Sequence, residues 1–143
     1  MELSMNGLVI EADPEKTKQL YYGAKSVAES CACADCRNFS LAADFFPGEV
    51  KELFGSLGID PKKAAEVYLL NGENGENAQY GGFYHLCGRI INGGRNGDTI
   101  AFHRIAEGYF VGFTDDISLP EDDIPEPSLQ MEIDFTVPWM TER

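Results

Sequence analysis

The sequence predicts a single α+β domain over residues 1–143, in which a mostly antiparallel sheet of five to six strands carries an interrupted helix on one face. Apolar residues recur at spacings of three and four between residues 36 and 57, as they do along one side of an amphipathic helix. Between residues 129 and 137 apolar and polar residues alternate strictly, which is typical of a strand with one buried face. A chain of 143 residues that is 43% hydrophobic can fill one core of this kind.

Two short elements are expected before the helical region. The apolar run at residues 8–10 predicts a strand, and residues 15–22 predict a short helix. Pro14 separates the two, because proline has no N–H for a strand ladder but suits the first turn of a helix.

The helical region itself is expected as two helices, at residues 36–45 and 47–57. Pro47 divides them, because its ring and its missing N–H disrupt a helix interior but are tolerated where a new helix begins. Glu49 then lies near the positive end of the second helix, and Gly58 supplies the left-handed residue that commonly ends a helix.

The second half of the chain has the pattern of an antiparallel meander. Its predicted strands are residues 66–70, 80–91, 99–105, 109–113 and 129–137. Along the longest strand the odd positions place Phe83, His85 and Cys87 on one face, while the other face is more apolar. The stretch 118–128, with three prolines and four acidic residues, is expected to be an extended acidic loop.

The charge of the chain limits the classes of partner. With 24 acidic and 11 basic residues the formal net charge is −13, so the phosphate backbone of a nucleic acid would be repelled. The same field attracts a basic protein partner. The first residues lack the basic and apolar regions of a secretory signal, and no apolar run approaches the roughly 20 residues of a membrane span, so a cytoplasmic protein is expected.

Three of the four cysteines fall within six residues, at Cys31, Cys33 and Cys36. In a reducing compartment such cysteines are thiols or metal ligands more often than a disulfide framework. The C-x2-C spacing lets two thiolates face one metal, and Cys31 would lie on the same side as Cys33 in an extended segment. A tetrahedral zinc site needs a fourth ligand, for which His85 or Cys87 is the candidate.

Other interpretations of these cysteines stay open. Free cysteines often pack as small hydrophobic residues without further chemistry. Two of them could instead form a redox pair, whereas iron–sulfur ligation is disfavoured because the spacing matches none of the usual patterns. The leading functional interpretation is a non-enzymatic binding protein with a structural zinc site. The alternatives are a thiol-redox or cysteine-dependent enzyme and an immunity-type inhibitor of a basic toxin.

Several motifs together resemble a family of small uncharacterised bacterial proteins. They are Cys-x-Cys-x-x-Cys-Arg-Asn-Phe at residues 31–39, Pro-x-Glu-Val at 47–50, Leu-Gly-Ile-Asp-Pro at 57–61, Tyr-Gly-Gly-Phe-Tyr-His at 80–85 and Val-Pro-Trp at 137–139. The cysteine and Tyr-Gly-Gly motifs are the most specific of these. The resemblance implies a bacterial cytoplasmic setting and assigns no activity. It favours His85, inside a shared motif, over Cys87 as the fourth ligand.

Overall fold

A computed structural model of the protein describes residues 1–24, 26, 29, 31, 33–72, 76–93, 95–96, 99–117 and 124–140. Residues 118–123 of the predicted acidic loop and residues 73–75, which precede the long predicted strand, lie outside this part of the chain. Within the ranges given, no helix is both long and apolar enough to cross a lipid bilayer.

The described chain contains three helices and nine strands. In chain order these are β1 Glu2–Met5, β2 Leu8–Ala12, α1 Pro14–Tyr22, α2 Ala34–Ala43, α3 Gly48–Leu57, β3 Glu66–Asn71, β4 Asn77–Asn92, β5 Arg95–Asn96, β6 Thr99–Ile100, β7 His103–Ala106, β8 Tyr109–Thr114 and β9 Ser128–Pro138. The three helices therefore precede most of the sheet in the sequence.

Seven strands form one antiparallel sheet in the order β1-β2-β4-β9-β8-β7, and β3 is added on β4. The long strand β4 is its centre. Strand β9 pairs with residues 77–87 along one edge of β4, while β3 and β2 pair with residues 79–83 and 88–92 along the other. Strands β5 and β6 make a separate two-stranded ribbon.

The predicted α+β class is confirmed, with more strands than the five to six expected. Strand β1 was not predicted, because four residues are too few to show a clear alternation. The expected strand at residues 99–105 is divided between β6 and β7, which belong to different sheets. The predicted helices at 36–45 and 47–57 correspond to α2 and α3 with small shifts of their ends.

The helices cover one face of the sheet, which we call the inner face. On β4 it carries the even-numbered residues Tyr80, Tyr84 and Leu86, all of them fully buried. Aromatic rings fill the space between helices and strands: the centroid of Phe46 lies 5.3 Å from Phe135 and 6.0 Å from Phe39. Each such pair contributes about 0.5–1.5 kcal/mol beyond the burial of its area. The opposite face is called the outer face.

The ends of α3 follow from two residues that the sequence singled out. Pro47 is the N-cap in an extended conformation, one residue before the helix begins. Gly58 has a φ of +77°, and the Ile59 N–H donates to the Phe54 carbonyl at 3.0 Å, which completes a Schellman motif. A Cβ on Gly58 would collide with the carbonyl oxygen of Pro14, so this glycine also lets α1 approach the end of α3.

Candidate metal centre

The cysteine segment is positioned by the first turn of α2. Cys33 is the N-cap of that helix, with extended dihedral angles of φ −70° and ψ 160°. Its Sγ accepts a hydrogen bond from the Cys36 N–H at 3.4 Å, in the role that a serine or aspartate oxygen usually fills. Because Cys36 lies three residues later, the helical turn brings the two sulfurs to the same side.

The sulfurs of Cys31, Cys33 and Cys36 all lie within 4.8 Å of one another. A tetrahedral zinc site with Zn–S bonds of about 2.3 Å places its sulfurs about 3.8 Å apart. A shift of about 1 Å or less in each sulfur would therefore convert the observed arrangement into three zinc ligands. Cys31 and Cys33 are exposed while Cys36 is buried, so the group opens toward solvent from a buried floor.

Hydrogen bonds of two buried side chains, Asn38 and Tyr80, fix the first turn of α2 to the sheet. The Asn38 side chain, which is fully buried, donates to the Tyr80 hydroxyl and to the Pro138 carbonyl, both at 3.3 Å. Its side-chain oxygen accepts from the Met140 N–H. The Tyr80 hydroxyl in turn donates to the Asp35 carbonyl at 2.8 Å. The start of α2 is thus tied to β4 and to the chain beyond β9.

The three thiols differ in how readily they ionise. Hydrogen bonds from the backbone and side chain of Cys33, and from the Cys36 side chain, lower the pKa of the Cys31 thiol. Burial, together with the adjacent cysteine sulfurs, raises the pKa of the Cys36 thiol. A metal that takes all three as thiolates must therefore displace a proton from Cys36.

His85 does not lie beside the three cysteines. Its Nε2 is 3.2 Å from Oε1 of Gln130, and its ring centroid is 5.6 Å from that of Phe83. Tyr80, whose hydroxyl reaches the start of α2, is five positions away on β4 and therefore on the opposite face. Five residues of strand span about 16 Å. The imidazole of His85 therefore lies on the other face of the strand from Tyr80 and several residues further along it.

Cys87 is placed two residues further along β4. Its backbone N–H donates to Oγ1 of Thr17 at 2.9 Å, so it packs against the start of α1. Burial raises the pKa of the Cys87 thiol. This cysteine contributes to the wall of a cavity of about 350 Å³ beside Asp13 and Lys16.

The structure therefore brings together Cys31, Cys33 and Cys36 and leaves His85 and Cys87 outside the group. The expected closure of the site by one of these two residues finds no support in this arrangement. Among the described residues, no fourth His, Cys, Asp or Glu ligand joins the three cysteines. A role for Asn38 was not predicted, although this residue belongs to the Cys-x-Cys-x-x-Cys-Arg-Asn-Phe motif and directly precedes the apolar Phe39 on an amphipathic helix.

The fold and the site together define an α+β domain with a three-cysteine group at the start of a helix. No protein-family model matches the sequence, and no curated protein and no solved structure is significantly similar to it.

Proposed function

We propose that this is a non-enzymatic metal-binding protein that holds one zinc ion through Cys31, Cys33 and Cys36. The observation that carries the proposal is the convergence of three sulfurs on a helix start that hydrogen bonds to Tyr80 hold in place. Thiolates are soft ligands that select zinc or copper(I) over magnesium or calcium. The three sulfurs would occupy three corners of a tetrahedron, and the fourth corner would take water or a donor from another molecule.

Zinc binding would stabilise the segment that carries Cys31 against α2. The metal binds the folded arrangement and finds no preformed site in the unfolded chain, so its binding free energy adds to the free energy of unfolding. At a free zinc concentration 100 times the dissociation constant this amounts to about 2.7 kcal/mol. Removal of the metal by a chelator should lower the melting temperature accordingly.

The test is elemental analysis of protein purified under reducing conditions without added metal, together with calorimetry before and after chelation. We expect about one zinc per chain, a loss of zinc in Cys36→Ser, and a lower melting temperature after chelation. Cys87→Ala is the matched control, because it removes a buried thiol outside the group.

Two results would contradict the proposal. One is a protein that binds no zinc even when zinc is added to the reduced form. The other is a loss of zinc in Cys87→Ala or in His85→Gln with Cys36→Ser unaffected, which would place the metal on the sheet.

A second candidate function, thiol–disulfide exchange, is favoured by one observation. Cys33 is exposed at a helix N-cap and Cys36 is buried one turn later, so one sulfur could attack a partner's disulfide and the other could resolve it. This function predicts that an oxidised protein contains a Cys33–Cys36 disulfide and transfers it to a reduced dithiol substrate. Mass spectrometry of the oxidised protein, combined with the zinc measurement, distinguishes the two functions.

A further inference from the structure

The outer face of the sheet is polar and acidic where three strands meet. By strand register, Phe83 on β4 lies between Glu66 on β3 and Glu132 on β9. The neighbouring row carries Tyr68 on β3 and Asp134 on β9, on either side of Gly81. Directly paired residues of antiparallel strands point to the same side, so these side chains share one face.

Two carboxylates of this face, Asp134 and Glu132, accept hydrogen bonds from amide side chains. The Gln79 side chain donates to Asp134 Oδ1 at 2.8 Å, and the Gln130 side chain donates to Glu132. The ion pairs found in the described part of the chain join Lys18 to Glu15, Lys62 to Asp44 and Arg89 to Glu11.

None of these pairs includes Glu66, Glu132 or Asp134. Arg104 on β7 shares the face by register with Asp134, but β8 separates their strands. Two strand spacings correspond to about 10 Å. The negative charge of Glu66, Glu132 and Asp134 is therefore not neutralised by an ion pair within the described residues.

Two aromatic rings stand beside these carboxylates. The Tyr68 ring lies across Gly81, where any Cβ would collide with it, and the residue is still 45% exposed. Phe83 is buried with its ring against His85. Tyr68 and Phe83 both line a cleft of about 180 Å³, whose other lining residues include Glu66, Asp116 and Glu132.

The negative charge around the cleft affects the pKa of the Tyr68 phenol. Burial and the nearby carboxylates of Glu132, Glu66 and Asp134 raise its pKa. The same carboxylates would stabilise a positively charged group at this position, because a nearby opposite charge favours the charged form.

We propose that this cleft is a docking site for an arginine side chain of a basic protein partner. A guanidinium is planar, stacks on aromatic rings and has five N–H donors that match carboxylate oxygens. The cleft is smaller than the roughly 300–1,000 Å³ of a typical small-molecule pocket, so it fits the tip of one side chain. The net charge of −13 would draw a basic partner toward the surface.

The cleft is separate from the proposed zinc site. The cleft faces away from the helices, and none of its residues is a cysteine. Loss of zinc binding would leave it unaffected, and the two proposals can fail separately.

The test is a titration of isotope-labelled protein with a short capped peptide, glycine-rich with two arginines, followed by NMR at low ionic strength. We expect saturable shifts at Tyr68 and Phe83. We also expect about fivefold weaker binding in Glu132→Gln and in the more exposed Glu66→Gln, which serves if the first variant is poorly folded. Glu52→Gln, an exposed position on α3, removes the same charge from the helical side and should change the affinity less than twofold.

A peptide with citrulline in place of arginine should not bind, because citrulline has the same shape without the charge. The proposal is overturned if the citrulline peptide binds equally well, or if Glu52→Gln weakens binding as much as Glu132→Gln, which would indicate general electrostatic attraction. Calcium that saturates the same cleft while the arginine peptide does not bind would also overturn it.

Discussion

The two faces of strands β4 and β9 are made by the same backbone and have opposite chemistry. On the inner face Tyr84 and Phe135 are fully buried among helix side chains. On the outer face His85 and Gln130 pair across the same two strands, and Glu132 and Asp134 follow them along β9. The inner face therefore packs against the helices, whereas the outer face combines two buried polar side chains, His85 and Gln130, with the partly exposed carboxylates of Glu132 and Asp134.

The cysteine group lies on the side of the inner face. Its floor, Cys36, is carried by a helix that packs on the inner face through Phe39 and that Tyr80 holds by a hydrogen bond. A side chain on the outer face, such as His85, therefore lies on the other side of the sheet from the three cysteines. Truncations on the inner face should therefore destabilise the fold more than truncations on the outer face.

The largest effect is expected from Phe135→Ala on the inner face. Its ring contacts Phe46 and Tyr109 in a fully buried site, so truncation should lower the free energy of unfolding by about 3–5 kcal/mol. Phe110→Ala, on the outer face of the adjacent strand, should lower it by about 1 kcal/mol because this ring is only half-buried. Urea denaturation of both variants measures the difference, and equal losses would refute the division between the faces.

An intermediate effect is expected where α3 ends. Gly58→Ala should lower the free energy of unfolding by about 2–3 kcal/mol, because the left-handed φ and the nearby Pro14 carbonyl both oppose a Cβ. Gly55→Ala, in the same helix, has nothing within 4 Å of the added Cβ and should raise stability by about 0.5–1 kcal/mol. Thermal unfolding of the pair tests this. A stable Gly58→Ala variant would show that the contact between α1 and α3 can relax.

The smallest effect concerns the reactivity of the thiols in the native protein. The thiolate is the reactive form of cysteine, so the lowered pKa of Cys31 should let it react with iodoacetamide at a lower pH than Cys36 or Cys87, whose pKa values are raised by burial. Peptide mapping of the metal-free, reduced protein over a pH series measures the order. In Cys33→Ala the midpoint for Cys31 should rise, because one hydrogen bond to its sulfur is lost. Earlier modification of Cys87 would contradict this account.

Much of the fold could be predicted because its signals are local. Pro47 and Gly58 mark the ends of α3 through their own backbone preferences, and the alternation at residues 129–137 corresponds to β9. The division of residues 99–105 could not be predicted in the same way. The first half, β6, pairs with β5, and the second half, β7, pairs with β8. Residues outside the segment determine these pairings.

The candidate site could also be predicted only in its local part. The convergence of Cys31, Cys33 and Cys36 is a local matter of six residues and one helical turn, and the sequence indicated it. His85 was named as a fourth ligand although the alternation along β4 already placed it on the face opposite Tyr84 and Leu86. Helices pack on the more apolar face, so this parity was the available signal against it.

By itself the sequence determined the helices, most of the strands and a group of three neighbouring thiols, since each depends on residues within a few positions of one another. Only the tertiary structure decided that the helices cover the inner face and that Asn38 and Tyr80 hold the start of α2. It also decided that the acidic residues of β3 and β9 meet around Tyr68. These are contacts between segments distant in the chain, whose geometry is set by the packing of the whole sheet and by no local pattern.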